Sequence, residues 1–487
     1  MTRSFLTRTV LTASLAVALA ACSIPTRVTP PALRDEAPLA GLETSTRPGW
    51  PETSWWRAYH DDQLDGLMDR AMQNSPDLAQ AKTRVDSAQQ NIRVAAAQTG
   101  LRVDGSAQVA RQRMSENGII PSKFLGFTWY NQADLGIQLQ YDFDWWGKKR
   151  NAIGAAIDQA RAAQAQRSAA ALSIQSSVAD MYFSWLADEA RASLAEDLVA
   201  ARGRVLRIAQ LRVRQGVDVP DTVTQAEAEL AGARQQQVAL KGSANIRRAA
   251  LATLVGVTPA DLAQLKPRPL PEVAPGLPSN VGADLLARRP DIAASRWQVE
   301  AAVKQTDVAR AQFFPDVSLT AMAGLSSIDM DKVFSASSRT FGLTPAIHLP
   351  IFEGGALEAN YGVSRSQLDA AIAQYNSTVA TAARDVATQA LSAEQLAGRR
   401  QQQATQVASM QTLVATAKAR AAQGVRDDRE QLATQAQLLG QRDADIDLHA
   451  QALSTDVRLI QALGGGYRRE AEPLSSSTHS TNGAPTP

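Results

Sequence analysis

The chain has 487 residues, with 50 lysines and arginines against 48 acidic residues and a formal net charge of +2. With charges spread along the helical faces, nothing in that near balance suggests a nucleic-acid surface, and the single cysteine excludes disulfides within the chain. Aromatic residues make up only 5%, and alanine and glutamine dominate long stretches, which favours long, closely packed helices over a compact globular core.

Residues 1–21 read as a secretory signal peptide. Arg3 and Arg8 supply the positive start, and the apolar run from Val10 to Ala21 is too short for a stable membrane span. It ends in Leu19-Ala20-Ala21-Cys22, which resembles a bacterial lipobox. In that motif the cysteine sulfur receives a diacylglycerol, and the freed amino terminus of the same cysteine receives an acyl chain. Ser23 follows, where an aspartate would resemble an inner-membrane retention signal, so the expected destination is the outer membrane. Beyond Cys22 no apolar stretch has the length a membrane helix needs. Residues 22–74 form the expected lipid-anchored N-terminal segment, with Asp61-Asp62 beside Trp55-Trp56 leading into the first helix.

From residue 75 the chain is written twice. Ser75-Pro76-Asp77-Leu78 opens a helical stretch that ends near Gln98, and Arg289-Pro290-Asp291-Ile292 opens its counterpart, ending near Gln312. Gln215-Gly216-Val217 recurs as Gln423-Gly424-Val425, which makes Gly216 and Gly424 the expected turns of the two copies. Leu254-Val255-Gly256 closes the first and Ala462-Leu463-Gly464 the second. The copies span 75–265 and 290–466. The crossing at 266–289, with Pro267, Pro269, Pro271, Pro275 and Pro278, reads as an extended linker. Residues 467–487 are rich in serine, threonine and proline and read as a disordered tail.

Each copy reads helix, strand, strand, long helix, helix. In the first, Leu135, Ile137, Leu139, Tyr141 and Phe143 alternate with Gly136, Gln138, Gln140 and Asp142, after a shorter alternation from Val103 to Val109. In the second, Val317 to Ala323 and Phe341 to Leu349 repeat the pattern. A period of two gives one apolar and one polar face, as in a membrane barrel strand of about ten residues. A half-exposed soluble sheet has the same period, and the secretory lipid signal favours the membrane reading. Trp145 and Trp146 follow the second strand directly, with Lys148-Lys149-Arg150 behind them; the alternatives are a membrane-interface pair followed by passage into water, which the adjoining alternating strand favours, and two core tryptophans at a strand–helix junction.

No proline occurs from Lys148 to Gln215. Ile174, Val178, Met181 and Trp185, and then Leu194, Leu198, Ala201, Val205 and Ile208, step by four and three as in a coiled coil. A helix of roughly 65 residues is about 100 Å long. The stretches 75–98 and 221–255, laid end to end, cover most of it, and 290–312 with 427–463 repeat the arrangement. The expected fold is mostly α with a small β part: antiparallel coiled-coil columns plus four membrane strands. Four strands cannot close a barrel in lipid, and three copies giving twelve strands leave an aqueous lumen.

With its lipobox, paired Pro-Asp helix openings, Phe143-Asp144-Trp145-Trp146-Gly147, Leu349-Pro350-Ile351-Phe352-Glu353-Gly354-Gly355 and paired Gln-Gly-Val turns, the chain resembles the TolC-like outer-membrane efflux proteins, in particular their NodT/OprM-type lipoprotein branch. The resemblance covers roughly residues 22–466. It implies a homotrimer with a twelve-stranded barrel and a twelve-helix periplasmic tunnel. It also implies partners, a periplasmic adaptor and an inner-membrane transporter of RND type. The expected function is a passive outer-membrane duct for drugs or other small toxic solutes. Alternatives are a duct for type I protein secretion and a non-conducting coiled-coil spacer, which would need no sheet. At the periplasmic tip the chain departs from the family: Leu432-Ala433-Thr434-Gln435 has Ala433 where members carry an entrance aspartate, and Ala421 stands in a tyrosine's place. Asp427 and Asp428 are candidates to line the entrance instead, or to cap the following helix. His60, His348, His449 and His479 show no metal spacing, and no phosphate loop, nucleophile elbow or zinc-protease helix is present. Neither an enzyme nor a cofactor is expected, apart from the covalent lipid on Cys22.

Overall fold

The computed structural model describes residues 30–39, 49–117, 122–273, 276–278, 281–423 and 428–468. Cys22, Gly424 and Asp427 lie outside them. The duplication read from the sequence is matched by element length. The first repeat runs α2 (Pro76–Ala97), β1 (Arg102–Arg113), β2 (Trp129–Phe143), α3 (Lys148–Arg214) and α4 (Asp221–Val255), preceded by α1 (Asp62–Asn74). After α5 (Val281–Arg288), the second runs α6 (Pro290–Ala311), β3 (Asp316–Ser327), β4 (Arg339–His348), α7 (Ala356–Ala422) and α8 (Asp428–Ala462). In both, the helices are 22, 67 and 35 residues long, and the first strand has 12. Among the described residues no helix is long and apolar enough to cross a membrane.

The chain divides into two compact units. One takes in 82–164 and 294–377; the other takes in 34–81, 165–293 and 378–468. In the first, the four strands form one antiparallel sheet in the order β1-β2-β3-β4. Beside the sheet, a fully buried carboxylate, Asp158 of α3, holds Lys304 of α6 at 2.5 Å and Arg161 at 3.2 Å, and Arg161 lies over Trp297. A buried carboxylate persists only when paired in this way.

In the second unit, ion pairs climb α3 while descending α4: Asp188–Arg247, Glu196–Lys241, Arg202–Glu229. That order is the signature of an antiparallel pair. Arg191 of α3 reaches Asp443 and Asp447 of α8, joining the two repeats. The end-to-end stacking expected from the helix lengths is present twice. Gly256, the left-handed cap of α4, lies so close to the start of α2 that a Cβ would meet the Asn74 carbonyl oxygen at 2.9 Å. Gly464, after α8, abuts the Arg288 backbone in the same way, and Arg289 donates to the Ala462 carbonyl at 2.9 Å. Only glycine permits either junction.

The core of this unit gathers Trp55, Trp56 and Tyr59 with Tyr182, Phe183, Trp185, Leu251 and Leu453. The segment before the first repeat is therefore folded rather than a plain leader. Leu64, Leu67, Met68 and Ala71 form the buried stripe of α1, and Asp61 caps its N-terminus. Asp61 also accepts from the Tyr182 hydroxyl at 2.7 Å and from Arg268 at 2.9 Å. The proline-rich crossing departs from a plain linker. Gln63 pairs with both the N–H and the C=O of Lys266, the Pro271 carbonyl accepts from His449 at 2.8 Å, and residues Val281–Arg288 are helical. Burial of Val281 and Leu285 accounts for that helix. Of the coiled-coil positions, Ile174, Val178 and Trp185 are buried. Leu194, Leu198, Val205 and Ile208 are half-buried in the single chain, beside buried Ala192, Ala195, Ala201 and Ala209.

Candidate channel surfaces

The sheet's register converts four separate alternations into two continuous faces. Val103, Ala107 and Val109 of β1 lie opposite Leu139, Leu135 and Ala133 of β2. Phe143, Tyr141, Leu139, Ile137 and Leu135 lie opposite Val317, Leu319, Ala321, Ala323 and Leu325 of β3, and β4 continues with Ile347, Pro345, Leu343 and Phe341. Residues directly opposite share a face, so one surface is an unbroken apolar band. The other carries Asp104, Gln108, Gln132, Asp134, Gln138, Gln140, Asp142, Ser318 and Thr320. Apolar side chains on the first face stand in the open, with Phe341 87% and Ile347 74% exposed.

The band is slanted. At the end away from the helices, the first polar residue on the apolar face is Arg111 on β1 and Arg339 on β4. Arg111 lies opposite Asn131, whereas Arg339 lies opposite Leu325, which faces Leu135, a displacement of four residues across three strand steps. The near edge slides equally: Val103 faces Leu139, while Ile347 faces Val317 and through it Phe143. At about 3.4 Å per residue and 4.8 Å per strand, this is a slope of about 43°. Strands of membrane barrels tilt by about 35–45°, which makes such a slanted band level in a bilayer. Among the described residues, neither sheet edge, β1 or β4, carries a further strand.

Trp145 and Trp146 stand at the near edge. Trp145 extends the aromatic row of Tyr141 and Phe143 on the apolar face, 5.9 Å from Phe143, and is 64% exposed. Trp146 stacks on Phe314 at 4.5 Å and donates its indole N–H to the Pro315 carbonyl at 2.9 Å. Neither belongs to a core. Asp144 between strand and helix accepts from the Lys149 and Arg150 amides, so the junction caps α3. Lys148 and Lys149 are ion-paired with Asp316 and Asp142.

At the other end of α3, Gly216 (φ 69°) takes the left-handed position, and the Val217 N–H reaches back to the Arg212 carbonyl. Asp218 then accepts from Arg212 at 2.8 and 3.1 Å and from Arg429, at the head of α8, at 2.9 Å. The Arg212 guanidinium holds the Asp218 carboxyl below the usual carboxylate range. Asp428 is exposed in the first turn of α8. The turn's charge centre thus involves Asp218, Arg212 and Arg429, which the sequence reading did not single out. The one local signal is an arginine and an aspartate straddling the glycine.

The outer membrane efflux protein family matches residues 67–257 and 281–465. The chain belongs to that family. Multidrug resistance outer membrane protein MdtP of Escherichia coli is 33% identical over 433 residues, 88% of each chain. A putative multidrug resistance outer membrane protein, MdtQ of Shigella flexneri, is 31% identical over 466 residues, 93% of this chain and 97% of its own. The crystal structure of the outer membrane protein VceC of Vibrio cholerae aligns with a TM-score of 0.77 at 31% identity, covering 86% of this chain and all (100%) of its own. The Campylobacter jejuni CmeC outer membrane channel shares the fold, with a TM-score of 0.81 at 23% identity over 92% and 96%. This outer membrane efflux protein is therefore a channel component of the outer membrane, and its sheet has one apolar and one glutamine-rich face. The four-stranded sheet is an element that a coiled-coil spacer would not need.

Proposed function

We propose that three copies close their four-stranded sheets into one twelve-stranded barrel continuous with a helical periplasmic tunnel, forming a passive duct. The observation that carries this is the slanted apolar band on a sheet whose β1 and β4 edges lack partners, since open edges do not survive in hydrocarbon. The duct receives small toxic amphipathic compounds, drugs included, from an inner-membrane pump of RND type through a periplasmic adaptor. The multidrug-resistance names of the relatives support that substrate class. Cys22 carries the lipid anchor, Trp145 and Trp146 sit at the inner membrane–water boundary of the barrel, and Asp427 with Asp428 lines the periplasmic entrance.

The test is conduction and epistasis. Purified protein is expected to have the mass of a trimer by detergent-corrected light scattering and to open aqueous conductances in planar bilayers. In a strain lacking related ducts, deleting the gene, the pump or both is expected to sensitise cells equally. A stable membrane monomer overturns the barrel; additive sensitisation overturns the shared route. Loss of one secreted protein with normal compound tolerance favours the secretion duct.

A further inference from the structure

At the end of the sheet away from the helices, the apolar face is bounded by cations. Beyond Val109 the same face of β1 continues with Arg111 and Arg113, and beyond Phe341 the same face of β4 continues with Arg339. Trp129 of β2 lies opposite Arg113, and the Arg111 guanidinium stands 5.7 Å from its ring. This is the composition of a membrane–headgroup boundary.

The two ends of the sheet treat their cations differently. At the near end, Lys148 and Lys149 are neutralised by Asp316 and Asp142. At the far end, Arg113 has Glu116 at 3.2 Å and Lys332 of the β3–β4 connection has Asp329 at 2.7 Å, both in largely exposed pairs worth little in water. Among the described residues no carboxylate forms an ion pair with Arg111 or Arg339, and both are exposed. Cations at an apolar boundary without carboxylates call for an anion from outside the chain.

Their placement on opposite edge strands narrows that anion. The four-residue slide puts Arg111 and Arg339 at one height on the wall. In a three-fold barrel, β4 of one copy pairs with β1 of the next, which sets Arg339 about 6 Å along the rim from Arg111 of that copy. Two guanidiniums this close, with Arg113 above them, repel one another unless a multivalent anion sits between. Guanidinium forks match phosphate bidentately. The far end faces away from the periplasmic helices, so the anion available there belongs to the outer leaflet.

We infer that each seam between copies binds a phosphorylated glycolipid of the outer leaflet, with Arg339 of one copy and Arg111 and Arg113 of the next holding its phosphates and Trp129 lying against its sugar–acyl boundary. The inference rests on the trimeric-barrel reading, because no single chain contains the whole site.

The probe is diphosphorylated lipid A, titrated into delipidated trimer in detergent and counted by native mass spectrometry. The parent is expected to retain up to three molecules per trimer. An Arg111→Gln/Arg339→Gln variant is expected to bind at least about tenfold more weakly, and the matching lysine pair, which keeps the charge and loses the fork, to fall between the two. Phosphatidylglycerol and inorganic phosphate are expected to compete poorly, because neither spans the seam with two phosphates. Equal competition by phosphatidylglycerol overturns the glycolipid in favour of any anionic lipid. Equal binding by the glutamine variant, or by dissociated monomers, overturns the seam site. If the double variant does not assemble, Arg339→Gln against Arg339→Lys makes the same comparison. A parent protein that forms no trimer brings down the barrel reading; intact conducting trimers with unchanged lipid affinity in the variant bring down this site alone.

Discussion

Asp218 and Arg429 lie 211 residues apart in the chain and meet at 2.9 Å, joining the turn of the first repeat to the head of the last helix of the second. Arg212 holds both oxygens of the same carboxylate. Both guanidiniums hold this carboxylate, so removing its charge weakens the bridge between the turn and the head of α8. Asp218→Asn is therefore expected to loosen the turn without disturbing the sheet. Hydrogen-exchange mass spectrometry reads this as faster exchange across 211–222 and unchanged protection in β2. Equal protection in both proteins would show that the ion pairs are incidental.

Acidity should leave that clamp intact through the mildly acidic range. The folded Asp218 carboxyl titrates below an ordinary aspartate because Arg212 favours its charged form. Its contribution is present above the unfolded value of about 3.9 and is lost only as pH falls through the depressed folded value. Spin labels at Val219 and Gln431 are expected to keep a narrow distance distribution from pH 8 to about 4.5 and to broaden only in stronger acid. Broadening near pH 6 would assign the opening to another group.

His449 behaves in the opposite range. Burial, and then Arg400, push the imidazole below its ordinary pKa, while the Pro271 carbonyl, Glu272 and Asp445 act against that shift. The unfolded chain takes up a proton more readily than the folded one. Stability is therefore flat above about pH 6.5 and declines below it. His449→Gln keeps a donor for the Pro271 carbonyl and removes the titration. The parent's thermal midpoint is expected to fall between pH 7 and 5 by more than the variant's, measured by circular dichroism at 222 nm, a wavelength set by the helix signal. Parallel declines would place the pH sensitivity elsewhere.

Asp61 collects the Tyr182 hydroxyl, Arg268 and the first amides of α1. Tyr182→Phe removes one donor and is expected to cost about 1–3 kcal/mol. Asp61→Ala leaves the Tyr182 hydroxyl with Gln63 alone, takes the carboxylate from Arg268 and uncaps the helix, so it should cost more, about 3 kcal/mol or above. Guanidinium unfolding of the trimer in detergent gives the order. The reverse order would mean that Arg268, which is partly exposed, finds water at little cost.

The strands were legible because a period of two is a local property, and the long helices because an unbroken run without proline needs no tertiary information. The stripe Leu64, Leu67, Met68 and Ala71 also had helical spacing, but the neighbouring tryptophans and aspartates have no period and drew the segment toward a leader reading. What Asp61 does depends on Tyr182 and Arg268, 121 and 207 residues away, and no spacing rule links them. The same holds for Asp218 and Arg429. Residues Val281–Arg288 were hidden by the proline count of the crossing, although the prolines all precede them. The slant of the apolar band is a property of register, which alternation alone does not carry.

Neighbouring positions on β2 allow a direct test of which face meets lipid. Ile137 sits mid-band, opposite Gly105 and Ala323, and is 54% exposed; Gln138 sits on the other face, opposite Asp104 and Met322. Their Cα atoms are one residue apart, so depth in the membrane is nearly the same and only the face differs. A lysine on the lipid side of a barrel near its midplane costs about 2–4 kcal/mol, and a trimer carries three of them. Ile137→Lys is therefore expected to reduce heat-resistant trimer in the outer membrane severely. Gln138→Lys adds a hydrated cation to an aqueous lumen beside Asp104, so assembly is expected to be normal. Its effect should appear in planar bilayers as a reduced preference for cations over anions at unchanged trimer yield. If Gln138→Lys blocked assembly while Ile137→Lys assembled and altered selectivity, the two faces would have to be exchanged. If both assembled with parental selectivity, the sheet would not be a channel wall.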